Sequence, residues 1–221
     1  MAFDFNRTLD DRLLFGPAPI GLYQAFLKRT LDIALVLLAT GPVLLVLVVL
    51  GLLIALDGKS PLYSQMRVGR GGREFRMWKL RSMVHNADAL LETYLARDPV
   101  ARHEWDRRQK LENDPRITRL GRFIRKTSLD ELPQLWNVLR GEMSIIGPRP
   151  MMSNQRTLYP GTAYYEMRPG LSGYWQTSIR NETSFAERAF YDTSYFRDLS
   201  LQTDIRLIFR TFSVIVKGTG C

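Results

Sequence analysis

The longest apolar stretch of the chain runs from Ile33 to Leu56. It contains 24 residues without a charged side chain, and 17 of them are Leu, Val or Ile. About 20 apolar residues are enough to span the hydrocarbon core of a bilayer. A cleaved signal peptide has a shorter apolar core near the N-terminus, whereas this stretch begins after 32 residues. The pattern therefore predicts a retained segment that enters a membrane.

Gly41 and Pro42 interrupt the apolar stretch. Proline removes one helical hydrogen-bond donor and disfavours helical geometry at the residue before it. We therefore expect a break near Thr40 that leaves two short helices, one from about Tyr23 and one to about Leu56.

Basic residues flank the apolar stretch on both sides. They are Lys28 and Arg29 before it, and Lys59, Arg67, Arg70 and Arg73 after it. The positive-inside rule therefore assigns no orientation to a spanning helix. Two arrangements stay open from the residues alone: a re-entrant segment with both ends in the cytoplasm, and a kinked spanning helix.

The polar part of the chain predicts short strands and helices. Strands are expected at Leu62–Arg67 and Glu74–Leu80, joined by a glycine-rich turn. The segment from Asn86 to Leu111 predicts two solvated helices, because Asp98-Pro99 interrupts it. Apolar residues recur at helical spacing between Leu199 and Val216. This last helix lies either on the membrane surface or against the core, and the pattern leaves both open.

The segment from Ile124 to Gly141 predicts a capped amphipathic helix that ends at glycine. Ser128 with Glu131 three residues later fits a capping box, and Asp130 in a first turn would complement the helix dipole without any catalytic purpose. Basic residues precede this acidic pair, and the rigid turn Gly147-Pro148-Arg149-Pro150 follows it.

Charge and cysteine content narrow the chemistry. The chain has 31 basic and 22 acidic residues, a formal net charge of +9, which predicts an anionic partner such as a nucleic acid, a phosphorylated metabolite or a membrane surface. One cysteine, Cys221, and two histidines, His85 and His103, exclude a disulfide framework and a Cys-rich zinc cluster. Carboxylates and cations suit phosphoryl chemistry, because arginine binds phosphate oxygens and carboxylates hold hard cations or attack phosphorus.

Three segments resemble bacterial initiating sugar transferases, the monotopic phosphoglycosyl transferases. They are Ser128 to Gln134, Gly141 to Pro150 and Arg168 to Gly173. The similarity covers nearly everything from about Tyr23 onward, and its smaller matches are Lys28-Arg29, Asp32, Pro42, Gln65, Arg67, Gly69 and Lys79 to Met83.

The resemblance implies an α+β, mostly helical fold. It implies a monotopic membrane protein with an N-terminal re-entrant helix-break-helix bent at Pro42, a short β-hairpin and interfacial amphipathic helices. The chain then divides into an N-terminal extension (1–22), the re-entrant segment (23–58) and a catalytic domain (59–221). The catalytic domain is expected on the cytoplasmic face of the bacterial inner membrane, with the lipid bilayer as a partner. Since no four-helix membrane region precedes it, the chain resembles the short form of the family.

The resemblance also implies a reaction. A hexose-1-phosphate would pass from a UDP-sugar, with galactose or glucose favoured, to undecaprenyl phosphate, with release of UMP and with Mg²⁺ as cofactor. Asp130 is the expected nucleophile and metal ligand, and it would form a covalent aspartyl-phosphosugar intermediate, while Glu131 would assist catalysis. The cations expected to bind the substrate phosphates are Lys79, Arg125, Arg149, Arg81 and Arg168.

The sequence also contains weaker candidate binding segments and allows alternative functions. Tyr174 to Gln176 and Arg180 to Glu182 suit a uridine or a sugar, although core packing explains them equally well. A nucleic-acid-binding protein needs no bilayer segment, so no nucleic-acid partner is expected. A catalytically silent basic membrane scaffold, in which the acidic pair merely caps a helix, is the alternative function. The oligomeric state cannot be read from the sequence.

Overall fold

The computed structural model describes residues 21–108, 111–178 and 185–216. The predicted extension 1–22 lies almost wholly outside the described residues, as do Arg180 to Glu182 and Cys221. In the described part, helix α1 (Lys28–Ala55) follows a π-helical turn at Tyr23–Leu27. The remaining elements, in chain order, are β1 (Leu62–Val68), β2 (Glu74–Leu80), α2 (Ala87–Arg97), α3 (Pro99–Arg108), α4 (Arg119–Lys126), α5 (Gln134–Arg140), β3 (Ser144–Ile146), α6 (Ala163–Glu166), β4 (Gly170–Ser172), α7 (Tyr174–Thr177), α8 (Arg188–Arg197) and α9 (Leu201–Val216).

Helix α1 is continuous, so the predicted helix-break-helix at Pro42 is wrong. Pro42 lies inside a single helix of 28 residues. The hydroxyl of Thr40 donates to the carbonyl oxygen of Val36 at 2.8 Å, a bond that bends helices without interrupting them. Proline is tolerated inside apolar helices of this kind, where local adjustments satisfy the freed backbone groups.

The surface of α1 is largely exposed and apolar. The stretch Tyr23–Ala55 is long and apolar enough to cross a membrane by length and composition. Leucine and valine side chains that are about half exposed or more follow it along its length, including Leu38, Leu45, Val48 and Leu52. Exposed apolar surface of this extent marks a membrane or protein contact, and so it suggests membrane association.

The N-terminal half of α1 is tied to the rest of the fold by polar side chains. Arg29 donates to the backbone carbonyls of Val138 and Leu139 at the end of α5. Asp32, which is buried, accepts hydrogen bonds from the Ser144 hydroxyl and the Ile145 amide of β3, each at 3.1 Å. The helix therefore contributes to the position of β3.

Asp204 of α9 collects three donors at the same end of α1. Its carboxylate accepts from the Tyr23 hydroxyl at 2.6 Å, from the Lys28 ammonium at 2.7 Å and from the Tyr195 hydroxyl at 2.6 Å. Because Asp204 is only 1% exposed, this charge is stabilised by its partners and not by water.

The C-terminal half of α1 packs on the hairpin and on α4. Leu50 and Ile54 form an apolar cluster with Leu80 of β2 and Ile124 of α4. Both halves of the helix thus belong to the same folded unit.

The predicted hairpin is confirmed. Strands β1 and β2 pair antiparallel, with Leu62 opposite Leu80 and Val68 opposite Glu74. The buried side chain of Asn137 continues the pairing, since it accepts from the Trp78 amide at 3.1 Å and donates to the Arg76 carbonyl at 2.7 Å. Helix α5 is thereby fixed against the open edge of β2, which satisfies backbone groups that an edge strand leaves unpaired.

A second, parallel sheet of β3 and β4 leads into the proline-framed turn. Gly147 and Gly170 approach closely there, and a Cβ at Gly170 would lie 2.1 Å from the Gly147 nitrogen. Only glycine fits this contact. It sets where the chain enters Pro148 and Arg149.

The predicted peripheral helices are also confirmed. Helices α2 and α3 meet at Asp98-Pro99, where the Asp98 carboxylate accepts from the amides of Val100 and Ala101.

Helix α9 has two faces, since Leu207 is 3% exposed and packs in the core, while Phe209 is 69% and Phe212 is 62% exposed.

Replacing Asp204 tests the attachment of α1. The Asp204→Ala variant leaves Lys28 and two hydroxyls without their shared acceptor, so we expect a loss of about 3 kcal/mol in the free energy of unfolding. Thermal unfolding in detergent measures it.

Arg140→Gln is the matched control. Arg140 is exposed and its guanidinium lies 3.4 Å from Glu142, so its loss should change stability by less than about 0.5 kcal/mol. Equal Tm values for the two variants would contradict the attachment.

Candidate active site

The acidic pair lies on a short turn between two helices. Helix α4 ends at Lys126, a 3₁₀ turn covers Leu129–Glu131, and α5 begins only at Gln134, after Pro133. The predicted single capped helix with a Ser128–Glu131 capping box is therefore wrong, because Ser128 is left-handed (φ 56°) and its side chain makes no capping bond. The predicted glycine end is confirmed at Gly141 (φ 80°).

Lys79 joins the two carboxylates. Its ammonium lies 2.8 Å from the Glu131 carboxylate and 3.8 Å from the Asp130 carboxylate. Lys79 comes from β2, while the acidic pair comes from the turn after α4, so residues 52 positions apart meet here. The structure brings together these three predicted site residues.

The environment of Asp130 disfavours its charged form. The side chain is buried, and this burial raises the pKa of its carboxyl group. The cations of Lys79 and Arg125 act in the opposite direction, and the neighbouring charge of Glu131 raises the pKa further. A poorly solvated carboxylate of this kind is typical of functional sites.

Arg125 and Arg149 line the same cavity as the acidic pair. Arg125 of α4 donates from Nε to the Ser82 hydroxyl at 2.8 Å. Its positive charge acts to lower the pKa of Asp130. The guanidinium of Arg149 lies 5.8 Å from the centre of the Trp175 ring, within the range of a cation–π contact.

Arg188 holds the backbone of Arg149, and the sequence analysis did not predict this role. It is 6% exposed, donates to the Arg149 backbone carbonyl at 2.6 Å, and stacks on Trp175 at 5.0 Å and Phe185 at 4.8 Å. Asp192 supplies nearby negative charge; burial raises the pKa of Asp192 to about 7. The signal in the sequence was the spacing of Arg188 and Asp192, four residues apart on one helix face.

Two of the predicted phosphate-binding cations, Arg81 and Arg168, form hydrogen bonds within the fold. Arg81 borders the cavity, but its guanidinium makes two 2.6 Å bonds to Asp57 and bonds the Ser60 and Ile54 carbonyls. Arg168 donates to the Gly141 carbonyl at 2.9 Å and does not line the cavity around Asp130. Their phosphate roles stay predictions, while the geometry gives both a structural use.

A cavity of about 1420 Å³ opens over the acidic pair. Basic side chains line it on several sides, among them Arg67, Lys79, Arg125, Lys126 and Arg149. Its opposite wall is apolar and comes from α1 and α9, with Leu35, Leu38, Ala39, Ile208, Phe212 and Val214. The cavity therefore has a cationic floor, formed by these basic side chains, and an apolar wall.

The donor set suits a hard divalent cation that is shared with a ligand. Asp130 and Glu131 offer carboxylate oxygens, and the described residues contain no group of three or more His, Cys, Asp or Glu side chains that could hold a metal ion alone. Mg²⁺ usually takes one or two protein carboxylates together with substrate phosphates and water. The acidic pair fits that pattern.

The fold and the site together define a membrane-compatible protein with a cation-lined acidic centre suited to phosphate esters. Residues 23–218 match the bacterial sugar transferase family. The chain belongs to this family.

Several relatives of known description are similar. The chain is 50% identical to a UDP-galactose-lipid carrier transferase of Erwinia amylovora, over 88% of this chain and 41% of that protein. It is 45% identical to an undecaprenyl-phosphate galactose phosphotransferase of Salmonella typhimurium, over 88% and 41%. It is 41% identical to an exopolysaccharide production protein of Rhizobium meliloti, over 91% and 89%. The chain thus spans about two-fifths of the first two relatives and most of the third.

The buried charge of Asp130 predicts an unusual stability effect. Because its folded-state pKa is raised, the folded protein loses stability as pH rises through that pKa and Asp130 ionises. Asp130→Asn keeps the shape without the charge, so at pH 7 its Tm should equal or exceed that of the wild type, as measured by thermal unfolding.

Asp114→Asn is the contrasting control. Burial alone would raise the pKa of Asp114, but hydrogen bonds from Arg116 outweigh it and lower that pKa. Its loss should therefore destabilise by about 2 kcal/mol at pH 7. A Tm for Asp130→Asn as low as that of Asp114→Asn would refute the electrostatic account.

Proposed function

We propose that this chain transfers a hexose-1-phosphate from a UDP-sugar to undecaprenyl phosphate, giving undecaprenyl-diphospho-sugar and UMP, as the first membrane step of exopolysaccharide synthesis. The observation that carries the proposal is the meeting of Lys79, Asp130 and Glu131 in a cavity with a cationic floor and an apolar wall. One substrate would be a water-soluble diphosphate and the other a lipid phosphate, and the two surfaces of the cavity match that pair.

In the first step, a carboxylate oxygen of Asp130 attacks the β-phosphorus of the UDP-sugar. A bond forms between that oxygen and phosphorus, the bond from phosphorus to the bridging oxygen breaks, and UMP leaves with the bridging oxygen. The product is an aspartyl-phosphosugar. Covalent catalysis of this kind divides one displacement into two.

The cations of the cavity reduce the repulsion between an anionic nucleophile and an anionic substrate. Lys79 offsets part of the negative charge of the acidic pair, since its ammonium lies 2.8 Å from Glu131 and 3.8 Å from Asp130. Arg125 and Arg149 bind the diphosphate oxygens, for which the planar guanidinium is suited. Pro148 and Pro150 fix the backbone on either side of Arg149, so its position does not depend on the substrate.

In the second step, an oxygen of undecaprenyl phosphate attacks the same phosphorus. The acyl-phosphate bond breaks, the Asp130 carboxylate is restored, and the lipid leaves as a diphospho-sugar. Glu131 lies next to Asp130 and is available to take a proton from the lipid phosphate. The apolar side chains of α1 and α9 receive the polyprenyl chain.

Mg²⁺ fits as the cofactor, and Asp130 would hold it together with substrate phosphates. When bound, it supplies positive charge that offsets the repulsion between the carboxylate and the diphosphate.

The membrane placement follows from α1 and its flanks. We assign the chain to the cytoplasmic face of the bacterial inner membrane, as a monotopic protein whose apolar helix α1 lies in the membrane with both of its ends on the cytoplasmic side, because basic residues lie at both ends of that helix. Both halves of α1 also pack on the same folded unit, which supports placing both ends on one side.

The donor sugar is proposed from the relatives. The names of two similar proteins specify galactose, while more distant ones specify N-acetylgalactosamine at 35% identity and glucose at 35% identity. Galactose is therefore the first donor to test, followed by glucose.

Release of UMP tests the reaction and its nucleophile together. Purified protein is incubated with Mg²⁺, undecaprenyl phosphate and a panel of UDP-sugars. We expect UMP from one sugar, and a fall of at least about 10³-fold in Asp130→Asn, because an amide cannot replace the carboxylate as the nucleophile.

Asp106→Asn is the matched control for this assay. Asp106 is an exposed carboxylate on α3 that does not line the cavity, so this variant should retain wild-type turnover. With UDP-sugar but no acceptor, mass spectrometry should show one phosphosugar added to the wild type and none to Asp130→Asn. No UMP from any sugar, in detergent or nanodiscs, would favour a catalytically silent scaffold.

The pH dependence tests the role of Lys79. Turnover requires ionised Asp130, whose pKa is raised, so the acid limb of kcat/KM for the donor should lie above the ordinary carboxyl range near pH 4. Lys79→Gln removes a cation that favours the ionised form and should move this limb to higher pH. Arg140→Gln, outside the cavity, should leave it in place; an unmoved limb in Lys79→Gln would contradict the assignment.

A further inference from the structure

Ser128 adopts a backbone conformation that its side chain disfavours. Its φ of 56° and ψ of 18° are left-handed, and it is the only residue other than glycine with positive φ in the described part of the chain. It lies directly between the end of α4 and the turn that carries Asp130. Residues held in such conformations concentrate at functional sites, where surrounding structure enforces them.

Helix α5 provides an internal comparison. It ends at Gly141, also left-handed with φ 80°. Glycine is the usual residue at this position after a helix, because it has no Cβ to strain the left-handed backbone. After α4 the left-handed residue is Ser128, two residues beyond Lys126, and it keeps a side chain although glycine would relieve the strain.

The backbone of Ser128 already has its partners. Its amide donates to the Arg125 carbonyl at 3.1 Å, and its carbonyl accepts from the Glu131 amide at 3.2 Å. Glycine could make both of these bonds. The geometry of the turn therefore does not explain why serine stands here.

The hydroxyl is the group that the fold leaves unused. It makes no hydrogen bond to any described residue, and it lines the cavity together with Asp130, Glu131 and Arg125. A hydroxyl beside cations can donate one directed hydrogen bond to an anion, whereas the ammonium and guanidinium groups supply most of the charge.

We propose that Ser128 is a substrate-contacting residue whose hydroxyl donates a hydrogen bond to a phosphate oxygen of the substrate at Asp130. This proposal rests on the proposed function. The oxygen belongs either to the diphosphate of the UDP-sugar or to the phosphate of the lipid acceptor, and the chemistry of recognition is the same for both.

The two half-reactions distinguish these sources. In a double-displacement reaction, kcat/KM for the donor reports only the steps up to UMP release, and kcat/KM for the acceptor reports only the second transfer. Measuring both constants for each variant, with UDP-galactose or whichever UDP-sugar the wild type uses, therefore locates the contact.

Ser128→Gly and Ser128→Ala separate the hydroxyl from the backbone. Both remove the hydroxyl, but glycine relieves the left-handed strain and alanine retains it. We expect kcat/KM for one substrate to fall about tenfold in both variants. The Tm of Ser128→Gly should equal or exceed the wild-type value, while that of Ser128→Ala should not rise.

Thr127→Ala is the matched control, since the neighbouring hydroxyl donates to the Phe123 carbonyl at 2.8 Å and does not line the cavity. Its kcat/KM values should stay at the wild-type level. Unchanged constants in Ser128→Gly, or a loss in Ser128→Ala alone, would overturn the contact while leaving the proposed function intact. A wild-type chain that releases no UMP would overturn both.

Discussion

Two carboxylates on successive residues repel each other, and burial away from water strengthens that repulsion. The fold places the Lys79 ammonium within 4 Å of both Asp130 and Glu131. This arrangement requires β2 to lie against the turn between α4 and α5. Asn137 fixes α5 to the edge of β2, and Ile124 fixes α4 to the end of the same strand through Leu80. The short hairpin therefore positions the acidic pair, because both neighbouring helices are fixed to β2.

Arg149 depends on a separate set of contacts. It follows β3, whose path is set by the close approach of Gly147 to Gly170. Arg188 holds its backbone carbonyl from the other side. The cationic floor of the cavity thus comes from two parts of the fold, one built on the hairpin and one on the parallel sheet. A phosphate that bridges them would contact both.

Local patterns predicted the local elements well. The hairpin, the interruption at Asp98-Pro99 and the glycine end of α5 all follow from turn residues and periodicity, which act over a few positions. Motif resemblance correctly identified the family, and Lys79, Asp130 and Glu131 do meet. The errors arose where two local rules competed. Ser128 could cap a following helix or end a preceding one, and the structure uses it for the second purpose.

Contacts between residues that are distant in sequence could not be predicted from local sequence patterns. Nothing near Arg81 shows that Asp57, 24 residues earlier, would bind its guanidinium. The support of Arg149 by Arg188 likewise depends on how α8 packs. Pro42 was misjudged for a different reason, because a single proline removes one hydrogen bond but does not end a long apolar helix when local adjustments satisfy the freed backbone groups.

A membrane anchor is often treated as a tether that can be exchanged for another of similar length. Helix α1 does not have that freedom. Asp32 holds the Ser144 hydroxyl and the Ile145 amide, and Arg149 lies only four residues beyond Ile145. A foreign helix would leave β3 without these bonds and deprive the cavity of one wall. The hydrophobic segment is in this sense a structural component of the catalytic unit, and exchanging it would disturb the site that it borders.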